Sequence, residues 1–99
     1  KSLAAHLRPL LEPVRLVLAY NEFCAPTVAE AVRALAAQGT TDIVAVPSMF
    51  TPGGVHAEID IPETIDALRA EIPHLSVRYA WPFGGEHLAS FFVEHLRRF

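Results

Sequence analysis

The order of apolar and polar residues along the chain predicts helices that alternate with strands. Apolar residues recur at helical spacing in four segments, and each segment is bounded by residues that start or stop helices. Thr27 and Glu30 have the spacing of a capping box at the start of the second helix, and Gly39 is its natural end. The predicted helices cover residues 2–11, 26–39, 60–72 and about 86–96.

Three shorter apolar runs predict strands. Residues 14–20 are apolar apart from Arg15. Residues 43–46 are apolar without interruption, which is typical of a strand covered on both faces. Leu75, Val77 and Tyr79 alternate with polar residues, so this strand is expected at or near a sheet edge. The last helix is expected to present leucines and phenylalanines to the core, namely Leu88, Phe91, Phe92 and Leu96.

Strands separated by single helices predict an α/β fold with a parallel sheet and helices on both faces. The 99 residues suffice for one domain, residues 1–99. The predicted order begins with a helix that has no partner strand before it, and the chain begins at Lys1 without a methionine. We therefore expect that an N-terminal strand is missing from this sequence.

Composition narrows the classes of partner. Hydrophobic residues make up 52% of the chain, the net charge is -3, and the arginines form no basic run, which argues against nucleic acid. No apolar segment approaches the roughly 20 residues of a membrane span. A lone Cys24 excludes a cysteine metal cage and fits a reducing cytoplasm. Small molecules or proteins are the expected partners.

Candidate chemistry concentrates in residues 53–63, directly after the second strand run. If this segment is extended, His56, Glu58 and Asp60 share one face and could converge on a ligand. The carboxyl ends of strands are where open α/β sheets bind ligands. Asp60 is better explained as the N-cap of the following helix, and Glu58 as a charge at the pocket rim.

The same residues resemble a known family. Residues 46–56 and 60–63 are similar to the signature of class II tetrapyrrole chelatases, the sirohydrochlorin cobalto-, nickel- and ferrochelatase group. The resemblance continues upstream at residues 19–22 and 26–27, and downstream at residues 82–84. It covers nearly the whole chain and implies a three-layer chelatase-like fold that pairs as a homodimer.

The resemblance also implies roles for particular residues. His56 matches the family histidine that binds the incoming divalent metal or takes protons from the macrocycle, and Glu22 matches an acidic residue facing the same cleft. A second family histidine, in a His-Gly-Ser motif after the first strand, has no counterpart here, and His6 is no substitute because it lies within the first predicted helix. The implied reaction is metal insertion into a sirohydrochlorin-type tetrapyrrole without ATP or an organic cofactor.

The residue types suit that reaction on chemical grounds. Insertion removes two pyrrole protons and strips water from the metal, and a neutral imidazole, with an ordinary pKa near 6.5, serves both tasks. Cobalt, nickel and iron(II) share a preference for such ligands, so the ligand types do not distinguish among the three metals. Gly53 and Gly54 would let the backbone approach a flat macrocycle closely. His87, which follows the last strand, is a further candidate for the pocket.

Two other interpretations remain open. One is a non-catalytic binding or assembly domain, derived from a chelatase, that lacks the first-strand histidine. The other is an unrelated doubly wound enzyme that binds an anionic small molecule at Gly53, Gly54 and the helix that starts near Asp60. Glu58, Asp60 and Glu63 crowd that helix start with negative charge, which disfavours a phosphate there.

Overall fold

The computed structural model describes residues 3–20, 25–48 and 56–99, with the backbone alone at His56 and Ala57. Helices and strands alternate over most of these ranges. In chain order the elements are α1 (Leu3–Leu11), α2 (Val28–Ala37), β1 (Asp42–Ala45), a π-helical turn (His56–Asp60, called the π turn), α3 (Ile61–Glu71), β2 (Ser76–Tyr79) and α4 (Gly85–Leu96).

The two strands form a parallel pair. Ile43 lies opposite Val77 and Ala45 lies opposite Tyr79, so both strands end at the same edge of the sheet. The pairing continues one residue further, where the backbone N–H of Ala80 donates to the carbonyl of Ala45 at 2.7 Å. Helix α3 connects the two strands, and the α/β class with a parallel sheet is confirmed.

Helix α2 begins and ends as its sequence predicts. The Thr27 hydroxyl accepts a hydrogen bond from the backbone N–H of Glu30 at 3.2 Å, and the Glu30 carboxylate accepts one from the backbone N–H of Thr27 at 3.0 Å. This reciprocal pair satisfies two N–H groups that the helix itself leaves unpaired. Gly39 follows the helix at a φ of 93°, a conformation that costs glycine little.

The core lies where α2 and α3 pack over the sheet. Ile65 and Leu68 of α3 are each 1% exposed, and Val32 of α2 covers them from the neighbouring helix. Leu75 and Val77 complete the cluster from β2 and the residue before it. The stripe predicted along the third helix is therefore confirmed as a buried face.

Arginine side chains form hydrogen bonds between these elements at the protein surface. The guanidinium of Arg33 in α2 donates to both carboxylate oxygens of Glu71 in α3, at 2.7 and 2.8 Å. The guanidinium of Arg69 donates twice to the backbone carbonyl of Val77, at 3.0 and 2.7 Å. Ser76 and Ala80 donate their N–H groups to the β1 side, so the carbonyl of Val77 faces away from β1.

Three expectations about the fold are wrong. Residues 15–19 form no strand, and Tyr20 makes only an isolated parallel bridge to Thr27. Strand β1 is not covered on both faces, because Val44 is 52% exposed. Helix α4 presents no face to the core among the described residues, since none of its residues is buried.

The first two differences have one physical cause. An apolar run predicts extended backbone only where a neighbouring strand and a covering helix are available to pair and bury it. In the described part of the chain, β1 has one partner strand, and α2 and α3 cover the face that holds Ile43 and Ala45.

Among the described residues, no helix combines the length and the apolar composition that a membrane span requires.

Candidate functional site

The carboxyl ends of β1 and β2 lie side by side, and the segments that leave them carry the candidate site. Pro47 follows β1 and is buried, whereas Trp81 follows β2 and is half-buried. The π turn enters this edge of the sheet immediately before α3. The expectation that residues 56–60 lie near the carboxyl end of the strands is supported by the contact between the π turn and Trp81.

The backbone of residues 56–60 is helical and not extended. A π-helical turn does not place alternate residues on one face as a strand does, so the three-ligand alignment of His56, Glu58 and Asp60 is wrong. Single π turns occur frequently at functional sites. The turn leads directly into α3, whose buried face fixes its position on the core.

Glu58 connects the π turn to the segment that follows β2. Its carboxylate oxygen Oε1 accepts a hydrogen bond from the indole Nε1–H of Trp81 at 2.9 Å. The Trp81 ring meets Phe83 edge to face, with ring centres 5.7 Å apart and planes at 85°. Trp81 and Phe83 thus pack against each other at this edge of the sheet.

Tyr79 is a further titratable group near Glu58. Burial raises the pKa of the Tyr79 phenol, and the negative charge of Glu58 raises it further. The side chain also packs against the core cluster. Tyr79 therefore links the core to the edge of the sheet where Glu58 lies, and it stays a neutral phenol there at ordinary pH.

The role expected for Asp60 as an N-cap is wrong. Its backbone is already helical, at φ -64° and ψ -48°, and its side chain makes no capping hydrogen bond. An N-cap needs non-helical backbone to aim its side chain at the N–H groups that follow. The π turn supplies the preceding helical turn instead, and the Asp60 carbonyl accepts a hydrogen bond from the hydroxyl of Thr64 at 3.0 Å.

The other predicted site residues are only partly placed. Glu22, Gly53 and Gly54 lie outside the described residues. His87 lies in the first turn of α4 and is exposed, and its Nδ1 lies 3.4 Å from the position that a Cβ atom at Gly84 would occupy. Among the side chains that the structure describes, no three histidine, cysteine or carboxylate groups are close enough together to hold a metal ion. The roles of all these residues stay predictions.

The pairing of Glu58 with Trp81 was missed at the level of sequence. Both residues follow parallel strands that end at the same edge, so their proximity could have been inferred from the strand order. The indole N–H is a donor that normally finds a partner when it is partly buried, which is a second usable signal.

Comparison with known proteins identifies the class of protein. A family model described as CbiX matches residues 1–98, so the chain belongs to the CbiX family and the resemblance to class II chelatases is confirmed. The chain is similar to the sirohydrochlorin cobaltochelatase of Priestia megaterium, with 36% identity over 65 residues. The match covers 66% of this chain and 21% of that relative. The chain therefore spans about a fifth of the relative's length.

Proposed function

We propose that this chain inserts a divalent metal into a sirohydrochlorin-type tetrapyrrole without ATP, as in the biosynthesis of cobalamin or siroheme. Membership of the CbiX family supports this proposal, and the name of the Priestia megaterium relative favours cobalt over iron and nickel. The observation that carries it is the position of His56, at the first residue of a π turn that contacts the carboxyl edge of a parallel sheet.

In this proposal the metal and the macrocycle are both substrates. His56 binds the incoming ion and accepts a pyrrole proton, and Glu22 acts as a second ligand or proton acceptor. Two protons leave the macrocycle for each divalent ion that enters it, so the overall charge balances. The site has to keep open coordination positions because a fully coordinated ion could not be transferred.

Contacts to the macrocycle are assigned to the loops at the same edge. Gly53 and Gly54 would allow close approach of backbone to the flat ring. His87 is proposed to line the pocket from the first turn of α4, which follows β2 through the segment that contains Trp81. The half-buried position of Trp81 supports this arrangement, because it brings the start of that segment next to the π turn.

Replacement of His56 tests the proposal directly. Metallation of sirohydrochlorin is followed by absorbance with cobalt(II), and His56→Ala is expected to lower the insertion rate at least about 100-fold, the scale of losing a catalytic acid–base group. The matched control is His74→Ala. His74 is exposed and lies in the turn before β2, at the opposite end of the strand. Equal rates in wild type and His56→Ala would refute the role of His56.

A non-catalytic tetrapyrrole-binding domain is the second candidate. Of the two family histidines that the resemblance implies, residues 1–99 contain a match for His56 alone. Such a protein would bind sirohydrochlorin, seen as a shift of its absorbance band, without inserting cobalt. Binding of nucleotides in place of the tetrapyrrole would instead support an unrelated anion-binding enzyme.

We further propose that the protein acts in the cytoplasm as a homodimer and that α4 forms the contact between copies. Helix α4 exposes Phe92 and Leu96. Phe92 and Leu96 are four residues apart and share one face of the helix, which suits contact with the same face of a second copy. Sedimentation should show a dimer, and Phe92→Glu should yield monomers. A monomer at all concentrations in wild type would contradict this assembly.

A further inference from the structure

The hydrogen bond between Trp81 and Glu58 joins two segments that are 23 residues apart in sequence. Glu58 is the middle residue of the five-residue π turn, and His56 is its first. Trp81 belongs to the segment after β2. The bond therefore connects the turn that contains His56 to the segment that follows β2.

The Trp81 end of this bond is firmly held. Ala80, its neighbour, extends the pairing with β1 through the 2.7 Å hydrogen bond to the Ala45 carbonyl. The backbone N–H of Trp81 donates to the carbonyl of Tyr79 at 3.1 Å. Phe83 packs against the indole edge to face. The indole N–H is thus presented from the end of the sheet at a fixed position.

The π turn that contains Glu58 gains stability from this hydrogen bond. A π turn has a wider and less favourable hydrogen-bonding pattern than an α-helix, and it persists where the surroundings stabilise it. Asp60 adds no side-chain cap at its junction with α3. A hydrogen bond to a carboxylate is stronger than one between neutral groups, so one such bond at the middle of the turn restrains it effectively.

We propose that Trp81 is a positioning residue, whose indole N–H holds Glu58 and thereby fixes the π turn that carries His56 at the edge of the sheet. This inference rests on the proposed role of His56 in handling the metal. Trp81 acts through Glu58 and the turn, and it contributes no ligand and no proton to the reaction. The relevant part of its side chain is the N–H, while the ring serves packing.

Separate substitutions distinguish the N–H from the ring. Trp81→Phe keeps an aromatic ring and removes the donor, whereas Glu58→Gln keeps an oxygen that can accept the bond. Phe83→Leu is the matched control for aromatic packing, because it removes the edge-to-face contact and keeps both the indole donor and the Glu58 acceptor. Urea unfolding of each variant, followed by circular dichroism, shows whether the fold is retained.

Metallation kinetics with cobalt(II) supply the decisive readout. Trp81→Phe is expected to lower kcat/KM for the metal by about 10-fold or more, the usual effect of losing a group that orients a ligand. The KM for the tetrapyrrole should stay within about 2-fold, because a positioning role does not touch the macrocycle. Glu58→Gln should retain most of the wild-type rate, and Glu58→Ala should behave like Trp81→Phe.

The result that overturns the inference is a folded Trp81→Phe variant that metallates like wild type. A loss of activity in Trp81→Phe that follows its loss of stability, with Phe83→Leu equally affected, would overturn it as well. Both outcomes leave the proposed function intact, since wild type still inserts the metal.

Failure of the proposed function is recognised separately, as no insertion by wild type. The inference is then decided by cobalt(II) binding measured by calorimetry, in which Trp81→Phe should weaken the affinity about 10-fold. Equal affinities in the two proteins would refute it. Trp81 is the one tryptophan in the sequence, so its fluorescence reports the loss of the Glu58 bond directly in Glu58→Ala.

Discussion

Helices α3 and α4 have nearly the same length, 11 and 12 residues, and both carry apolar residues at helical spacing. In α3 this spacing yields a buried face, with Ile65 and Leu68 each 1% exposed. In α4, which is richer in large apolar side chains, Phe92 and Leu96 are 52% and 66% exposed. Spacing thus predicts that a helix has an apolar face, and its neighbours decide whether that face is covered.

The neighbours differ because of position in the chain. Helix α3 connects two paired strands, so it packs across the sheet together with α2. Helix α4 follows the last strand, and no later element among the described residues returns it to the sheet. Its aromatic residues stack along the helix instead, with the rings of Phe91 and His95 6.1 Å apart and nearly parallel.

Truncation of one leucine in each helix tests the comparison most strongly. Leu68→Ala should lower the free energy of unfolding by about 2–5 kcal/mol, because it opens a cavity at a fully buried position. Leu96→Ala should change it by less than about 0.5 kcal/mol in the monomer. Urea unfolding at low protein concentration measures both. Similar losses in the two variants would show that α4 packs on the core in solution.

Loss of the cap on α2 is expected to have the next largest effect. Thr27→Ala removes the hydroxyl that accepts from the backbone N–H of Glu30 and should lower the free energy of unfolding by about 0.5–2 kcal/mol. Thr27→Ser keeps a hydroxyl and should retain most of that stability. Ser90→Ala in the exposed middle of α4 is the control and should be neutral or slightly stabilising. A loss at Ser90 as large as that at Thr27 would remove the distinction between the helices.

The smallest expected difference lies in the acid dependence of stability. The Arg33 guanidinium, by donating to both carboxylate oxygens, holds the pKa of Glu71 below its usual range. A carboxyl whose pKa is lower in the folded state stabilises the fold above the unfolded value, near 4.3, and this stabilisation is lost as the pH falls through the folded pKa.

Glu71→Gln should therefore flatten the decline of stability below about pH 4.3. Glu94→Gln is the control in α4, where the exposed carboxylate lies 3.9 Å from the guanidinium of Arg98, two residues beyond the end of the helix. Unfolding midpoints in urea, measured across the acid range, give the slopes. If Glu94→Gln flattens the curve as much as Glu71→Gln, the ion pair between α2 and α3 has no special role.

Local signals in the sequence predicted much of the fold. The capping box at Thr27, the stop at Gly39 and the stripe through Ile65 and Leu68 depend on residues close together in the chain, and all are confirmed. The strand expected at residues 14–20 and the buried face expected for α4 depend on distant partners. A pattern along one segment carries no information about whether such partners arrive.

The candidate site shows the same limit. The location of residues 56–60 near the carboxyl ends of the strands follows from the order of elements and could be predicted. The π turn could not be predicted. The alternation of His56, Glu58 and Asp60 fits an extended strand, and the sequence pattern does not show that the backbone torsions are those of a wide helical turn. The strand order brings Trp81 and Glu58 to the same edge, but the hydrogen bond between them depends on the π turn and could not be predicted without it.

The two hydrogen bonds from Arg69 to the Val77 carbonyl have a consequence for association. Strand β2 has β1 on one side, and its outer side would offer backbone groups to the strand of any other chain. A second chain that added there would have to displace the Arg69 guanidinium from its acceptor. Among the described residues, one arginine on a helix thus occupies a backbone acceptor on the outer edge of the two-stranded sheet, which opposes the addition of another strand there.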